Sequence, residues 1–282
     1  MKLLLLGRNG QVGRALLPLL PQLGEVVSTG REEADFENPA GLAALVEHEK
    51  PDVVVNAVAY TAVDAAEDDR ERAFRVNAET VGALGRAARE VGALVVHYST
   101  DFVFDGTGSA PHREEDATNP LSVYGESKLA GEVALRESGA DHLILRISWI
   151  YSEHGKNFPL SILNLAKSRD TLNVVADETG AATSATLVAE ATVAALRQAT
   201  ANRDLCGLYH LAPAGVASRH ELAKFLVAEA RAAGMALKLT SDAIKPIPAA
   251  AFPSKVRRPA NSALDTSRFR RSFGVTLPPW QD

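Results

Sequence analysis

Two short stretches of this chain set reactive side chains at spacings that matter. In Tyr124-Gly125-Glu126-Ser127-Lys128 a phenol and an amine stand four residues apart, and on a helix such positions share one face. A tyrosine titrates near about pH 10 when unperturbed, and an adjacent ammonium favours its phenolate. Tyr124 is therefore cast as the proton donor to a nascent alkoxide, with Lys128 as its partner and as a group that reaches ribose hydroxyls. Tyr-x-x-x-Lys by itself is common by chance, and an exposed pair on an amphipathic helix would account for it. Here Ser99-Thr100-Asp101 closes an apolar run that reads as a buried strand, and open α/β sheets bind ligands at the carboxyl ends of their strands. Thr100 supplies a hydroxyl there to hold the reacting oxygen.

The second stretch opens the chain. Leu3 to Leu6 run into Gly7-Arg8-Asn9-Gly10-Gln11-Val12-Gly13 and then an apolar helix. Gly7 allows the turn out of the strand, Gly10 lets a pyrophosphate approach the backbone, and Gly13 lets the helix pack on the sheet. The first gap is one residue longer than in the common dinucleotide fingerprint. The next strand ends Val27-Ser28-Thr29-Gly30-Arg31, without the acid that normally holds a ribose 2′-hydroxyl. Arg31, or Arg8 from the loop, is then placed to pair with a 2′-phosphate; the alternative is a solvated surface arginine. An NADPH preference of several-fold to roughly tenfold is expected, with NADH still accepted.

These motifs need a scaffold, and the pattern supplies one. Lys2 to Leu6, Glu25 to Ser28, Val53 to Asn56, Leu94 to Ser99, His142 to Ser148 and Leu208 to Leu211 read as strands, most of them continuously apolar and so buried on both faces. Helical patterns lie between them at Gln11 to Leu20, Pro39 to Glu49, Arg70 to Val91 and Val123 to Ser138. The expected fold class is α/β, a doubly wound parallel, Rossmann-type sheet. After Tyr151 the pattern loosens and prolines punctuate it, which predicts a smaller C-terminal substrate-binding lobe that exchanges chain with the sheet. The expected boundaries are residues 1–150 plus about 184–215 for the dinucleotide-binding domain, and about 151–183 with 216–282 for the lobe.

Composition narrows the classes. Of 282 residues 46% are hydrophobic and 23% charged, with a net charge of −5, which excludes a disordered chain and argues against a nucleic-acid partner. No run approaches the roughly 18 apolar residues of a membrane span, and the apolar start is too short for a secretory signal, so a cytoplasmic protein is expected. Cys206 is the only cysteine, which leaves no intramolecular disulfide, and no Cys/His cluster has zinc spacing. His97 reads as a packed strand residue, Cys206 as a small buried one, and Glu67-Asp68-Asp69 and Glu114-Glu115-Asp116 as solvated faces. Arg257-Arg258 offers two guanidinium groups to neutralise a nucleotide-sugar pyrophosphate, with surface solvation the alternative for Arg257.

Taken together, the chain resembles the extended short-chain dehydrogenase/reductases and, within them, the dTDP-4-dehydrorhamnose reductase family. The resemblance runs nearly end to end. It rests on Gly7 to Gly13, Asp35-Phe36, Pro51 to Ala57, Tyr60 to Asp64, Val96 to Asp101, Tyr124 to Gly131, Arg146 to Tyr151, Arg258-Pro259 and Asn261-Ser262. It implies reduction of the C4 keto group of dTDP-4-dehydro-L-rhamnose by NADPH or NADH, with Tyr124, Lys128 and Thr100 catalytic. Gly7, Asn9, Gly10, Gln11, Val12, Arg31, Asp35, Phe36, Ala57, Ala59, Tyr60 and Thr61 would join Tyr124 and Lys128 in contacting the cofactor. Thr100, Asp101, Trp149 and Arg258 would contact the sugar nucleotide. Another nucleotide-sugar reductase or epimerase of the same fold is the alternative, as is a noncatalytic NADP-binding subunit like that regulating methionine adenosyltransferase. The sequence departs from the family at Phe102, Val58 and Ala182, where Tyr, Ala and Pro are usual, and stops at Gln281-Asp282 where the pattern continues into a helix. Ala15 and Thr186 replace glutamates that hold magnesium between subunits in some members, so a homodimer, if formed, would lack a metal bridge, and no metal site is expected.

Overall fold

The computed structural model describes residues 1–282. The chain runs β1 (Lys2–Leu6), α1 (Gln11–Leu16), β2 (Glu25–Thr29), α2 (Pro39–Glu49), β3 (Val53–Asn56), α3 (Val63–Ala66), α4 (Arg70–Phe74), α5 (Thr80–Val91), β4 (Leu94–Thr100), α6 (Val123–Glu137) and β5 (His142–Ile147). It continues through β6 (Ile150–Tyr151), α7 (Phe158–Ala166), β7 (Leu172–Val175), β8 (Thr179–Gly180), β9 (Thr183–Ser184), α8 (Ala185–Ala199), β10 (Gly207–Leu211), β11 (Ala217–Ser218), α9 (Arg219–Ala232), β12 (Ile244–Ile247) and α10 (Ser267–Phe273).

Six strands form one parallel sheet in the order β10-β5-β4-β3-β1-β2. β1 pairs with both β2 and β3, so the winding reverses between β1 and β3. At such a switch point the two flanking connections leave in opposite directions and open a crevice beyond the strand ends. The apolar runs of β1 and β3 are buried at every position because helices cover both faces. Leu3, Leu5, Val53 and Val55 pack toward α1, α8 and α10, while Leu4, Leu6 and Val54 pack toward α2, α5 and α6. Truncating one of these leucines to alanine would cost about 2–5 kcal/mol.

Three expected boundaries shift for local reasons. α1 stops at Leu16 rather than Leu20, because Pro18 has no N–H to continue the helix. The helix expected over Arg70 to Val91 is present but carries a π-turn at Arg75–Glu79 between α4 and α5. β5 ends at Ile147, since Trp149 takes a left-handed conformation with φ of 44°. The polar run at Glu114 is also not wholly solvated. Glu114 is buried and accepts the His210 N–H at 2.9 Å on β10, an edge strand whose free amides need partners.

Beyond β5 a second core forms from Ile162 and Ala166 of α7, Val174 of β7, Ala223 and Val227 of α9 and Ile244 of β12. α8 and β10 return to the main sheet, α8 packing beside α1 in the first core.

Candidate active site

A cleft of about 830 Å³ lies at the carboxyl ends of the strands, and every site residue expected from the sequence lines it. The glycine loop forms its floor. Gly7 has φ of 89°, and a Cβ there would sit 2.7 Å from Val58 Cγ2. A Cβ on Gly13 would lie 2.0 Å from the Gly7 carbonyl oxygen, so the helix can approach the loop only as glycine. Gly10 begins α1 and no side chain caps that end, which suits an anionic group. Around the loop lie Asn9, Gln11, Val12, Asp35, Phe36, Ala57, Ala59, Tyr60 and Thr61, a glycine cradle with an apolar and polar rim of the kind a dinucleotide fits.

The end of β2 corrects one expectation. No acid follows the strand directly, but Glu33 folds back so that its carboxylate accepts the Gly30 N–H at 2.8 Å. The same carboxylate pairs with Arg8, whose Nη1 donates to the Ser28 carbonyl at 2.7 Å. Arg8 foremost, then the Gly30 N–H, holds the Glu33 carboxyl below its usual range. Arg31 stands exposed on the cleft rim.

The 57–61 segment is pinned by a residue that the motifs did not single out. Asn77, in the π-turn and 1% exposed, accepts the Tyr60 N–H at 2.8 Å and donates to the Tyr60 carbonyl at 3.1 Å. Its amide also donates to Ser127 Oγ on α6 at 2.9 Å. A π-turn at a functional position is a recurring device. A buried asparagine amid apolar helix residues was the only sequence signal for it.

Ser122 caps α6 by accepting the Gly125 N–H at 3.2 Å, which starts the helix just before Tyr124 and sets Tyr124 and Lys128 in its first turns. Tyr124 packs edge-on to Phe102, with ring centroids 5.6 Å apart. Burial pushes its phenol up to about 12, with the neighbouring Thr100 hydroxyl opposing. Lys128 is 1% exposed; burial draws its ammonium down to about 8, and Glu132 opposes. Its Nζ donates to the Tyr98 carbonyl at 2.7 Å. An adjacent ammonium, expected to favour the phenolate, is not what sets this phenol: desolvation does, the Asp101 charge adds to it, and Tyr124 rests as a protonated donor.

Thr100 ends β4, donating to Asp101 Oδ1 at 3.1 Å and accepting the Phe102 N–H at 3.2 Å. Asp101 is 3% exposed, its Oδ2 has no partner, and burial lifts its carboxyl to about 6. Opposite stands Arg219, which the sequence reading missed because it comes from the distant start of α9. Its guanidinium lies 3.7 Å from the Trp149 ring centroid and its Nε 3.9 Å from Glu178. Trp149 rests on Gly180, where a Cβ would come within 2.6 Å of the indole. Arg258 reaches the same cleft but is tied to Asp64 at 3.0 Å. Gln11 bridges the loop to the second core's segment, accepting from Ser152 at 3.1 Å and Asn157 at 2.9 Å. The arrangement can place a hydride donor, a proton donor and a polar, arginine-lined pocket around one carbonyl.

Comparison with known proteins places the chain in a family. The family model for the RmlD substrate binding domain matches residues 1–282. A dTDP-4-dehydrorhamnose reductase of Burkholderia thailandensis is 48% identical, covering 100% of this chain and 96% of its own. One from Salmonella typhimurium is 46% identical, covering 100% and 95%. The crystal structure of dTDP-4-dehydrorhamnose reductase from Bacillus anthracis in complex with NADP superposes with a TM-score of 0.89 at 28% identity, covering 99% of this chain and 95% of that one. This chain belongs to the dTDP-4-dehydrorhamnose reductase family.

Proposed function

We propose that this protein reduces the C4 keto group of dTDP-4-dehydro-L-rhamnose to give dTDP-L-rhamnose, using NADPH and accepting NADH. The observation that carries the reading is the convergence of Thr100, Tyr124 and Lys128 on the cleft that the glycine loop floors. NADPH, when bound by the loop, the 57–61 segment and Arg31, supplies the hydride. Tyr124 holds the proton for the new alkoxide, Thr100 orients the oxygen, and Lys128 returns a proton to the phenolate. Asp101, Trp149 and Arg258 hold the sugar nucleotide, the last by releasing Asp64 for a diphosphate oxygen.

The two cores support division into a cofactor-binding body, residues 1–150 with about 184–215, and a substrate lobe, about 151–183 with 216–282. No helix is long and apolar enough to cross a membrane, and a nucleotide sugar is a soluble substrate, which supports work in the cytoplasm. A relative in Bacillus subtilis, 32% identical, is named as a spore coat polysaccharide biosynthesis protein, which supports a product destined for cell-surface polysaccharide. If two copies pair, Ala15 and Thr186 offer no carboxylates for a bridging metal.

The test follows reduced nicotinamide absorbance with the dTDP keto-sugar present. Tyr124→Phe should lose about 10² to 10⁴ in rate. Full turnover by that variant overturns the assignment, and cofactor binding without turnover by the native protein would favour the noncatalytic module.

A further inference from the structure

Lys128 carries its amine into the interior, where the side chain beside it is a histidine. Nζ lies 3.2 Å from Nε2 of His97, which is fully buried on β4. In the β3–β4 register His97 stands opposite Asn56, and the Asn56 Nδ2 is 3.1 Å from His97 Nδ1. The Asn56 amide is held that way round, because its Oδ1 accepts the Val58 N–H at 3.1 Å. Its NH₂ therefore faces Nδ1. Burial first, then the charges of Lys128 and of His142 on β5, keep the imidazole neutral. A neutral imidazole has one N–H and one acceptor nitrogen. With Nδ1 accepting from Asn56, the proton is on Nε2 and points at Lys128. An N–H is met by a lone pair, which the neutral amine has and the ammonium lacks. No carboxylate bonds to Lys128 to reverse this preference. Glu132, one turn further on, is within its field but gives its oxygens to Arg146 and Ser99.

We propose that His97 is a positioning residue for Lys128: fixed by Asn56 as the Nε2–H tautomer, it stabilises the neutral amine and so makes the lysine a proton relay rather than a permanent cation. The inference rests on the reading of Tyr124 and Lys128 as the proton-handling pair. In that cycle the Tyr124 O–H bond breaks as the substrate oxygen takes the proton, and the phenolate then takes a proton from the Lys128 ammonium. The amine left behind directs its lone pair to His97 Nε2–H until solvent returns a proton to it. Only protons move, and the one consumed is replaced from water.

The first measurement needs no turnover. Histidine-selective ¹⁵N labelling of the full chain, with two-bond ¹H–¹⁵N correlation and assignment by His97→Gln, reads the tautomer directly. An unprotonated Nδ1 and protonated Nε2 are expected; the Nδ1–H tautomer overturns the proposal even if the variant folds poorly. The second is the pH profile of kcat/KM. A second variant, His97→Glu, turns carboxylate oxygens to both the Asn56 NH₂ and Lys128, so the alkaline limb, expected near 8 in the native enzyme, should move up by about one to three pH units. A limb that stays put while activity or stability falls uniformly makes His97 a packing residue and sinks the coupling. Native turnover in Lys128→Met would instead remove the proton-handling reading, a result separate from the tautomer.

Discussion

Replacing Arg146 with leucine tests what holds α6, and with it Tyr124 and Lys128, against the sheet. Arg146 on β5 is 2% exposed and gives two hydrogen bonds to the fully buried Glu132, at 2.8 and 2.7 Å. Its guanidinium also lies 5.0 Å from the Phe104 ring centroid and 3.4 Å from His210 Nε2. The variant leaves the Glu132 carboxylate in the interior with one remaining donor, Ser99 Oγ. Each lost charge-assisted bond is worth about 1.5–3 kcal/mol, and stripping one partner from a buried pair costs about 3–5 kcal/mol. The two routes agree on a loss of about 4 kcal/mol. At about 2–4 °C per kcal/mol for a chain of this size, Tm should fall by about 8–16 °C. Removing both charges, in Glu132→Leu with Arg146→Leu, should return the protein to within about 2 kcal/mol of native, because a buried pair is worth little against apolar replacements. Urea unfolding with linear extrapolation reads all three. A single-variant loss under about 1.5 kcal/mol, or a double variant no better than the single, refutes the reasoning.

Three further outcomes follow from the cleft. Asp101 has a folded pKa lifted from 3.8 to about 6, so its contribution to stability is full below about pH 4 and is lost as pH rises through 6. Asp101→Asn should therefore gain on the order of 2–3 kcal/mol over the native protein at pH 8 relative to pH 4 while losing kcat/KM; equal differences at the two pH values would contradict the assigned burial. Gly180→Ala drives a Cβ to 2.6 Å from the Trp149 indole, and steady-state kinetics should show KM for the nucleotide sugar raised about tenfold with the KM for NADPH unchanged; an unchanged sugar KM removes Trp149 from the pocket. Arg31→Ala should erase the NADPH preference, whereas Glu33→Gln, by freeing Arg8, should raise the NADPH to NADH ratio of kcat/KM by several-fold to roughly tenfold; a native preference for NADH, or a ratio that neither change moves, refutes this use of the two arginines.

What could be read in the sequence depended on how local its cause was. The β1 and β3 runs are apolar without alternation, so burial on both faces followed directly, and the glycine loop and the Tyr124/Lys128 pair are each set by a few consecutive residues. The sheet order is set by the switch between β1 and β3, which adjacent sequence does not record. Glu33 comes back to the end of β2, where it holds Arg8, only because the chain after Gly30 turns back on itself. Arg219 reaches Trp149 from 70 residues further along the chain, and Glu178, its ion-pair partner, lies 41 residues before it; nothing in their surroundings marks them. Glu114 looked like part of an acidic surface run, yet the open edge of β10 draws it inward to meet His210.

His97, set aside as packing, shows the same limit within a single strand. His97 is packed, as its alternation with Val96 and Tyr98 implied, and those two lie in the first core, but periodicity cannot say what the other face meets. Register does. β4 sets His97 beside Asn56 of β3 and Ser99 beside Arg146 of β5, and Arg146 in turn beside His210 of β10. Two polar rows thus lie on one face of the sheet, and α6 answers each with one residue, Lys128 over the first and Glu132 over the second. Lys128 and Glu132 are four residues apart, so one helix face meets both rows at once. A slip of one residue in β4 would turn both rows into the opposite core, leaving Glu132 without Ser99 and Lys128 without His97. The apolar layers and this polar seam therefore demand the same register, and the position of Tyr124, one turn before Lys128, is fixed by pairings made well below the cleft in which it works.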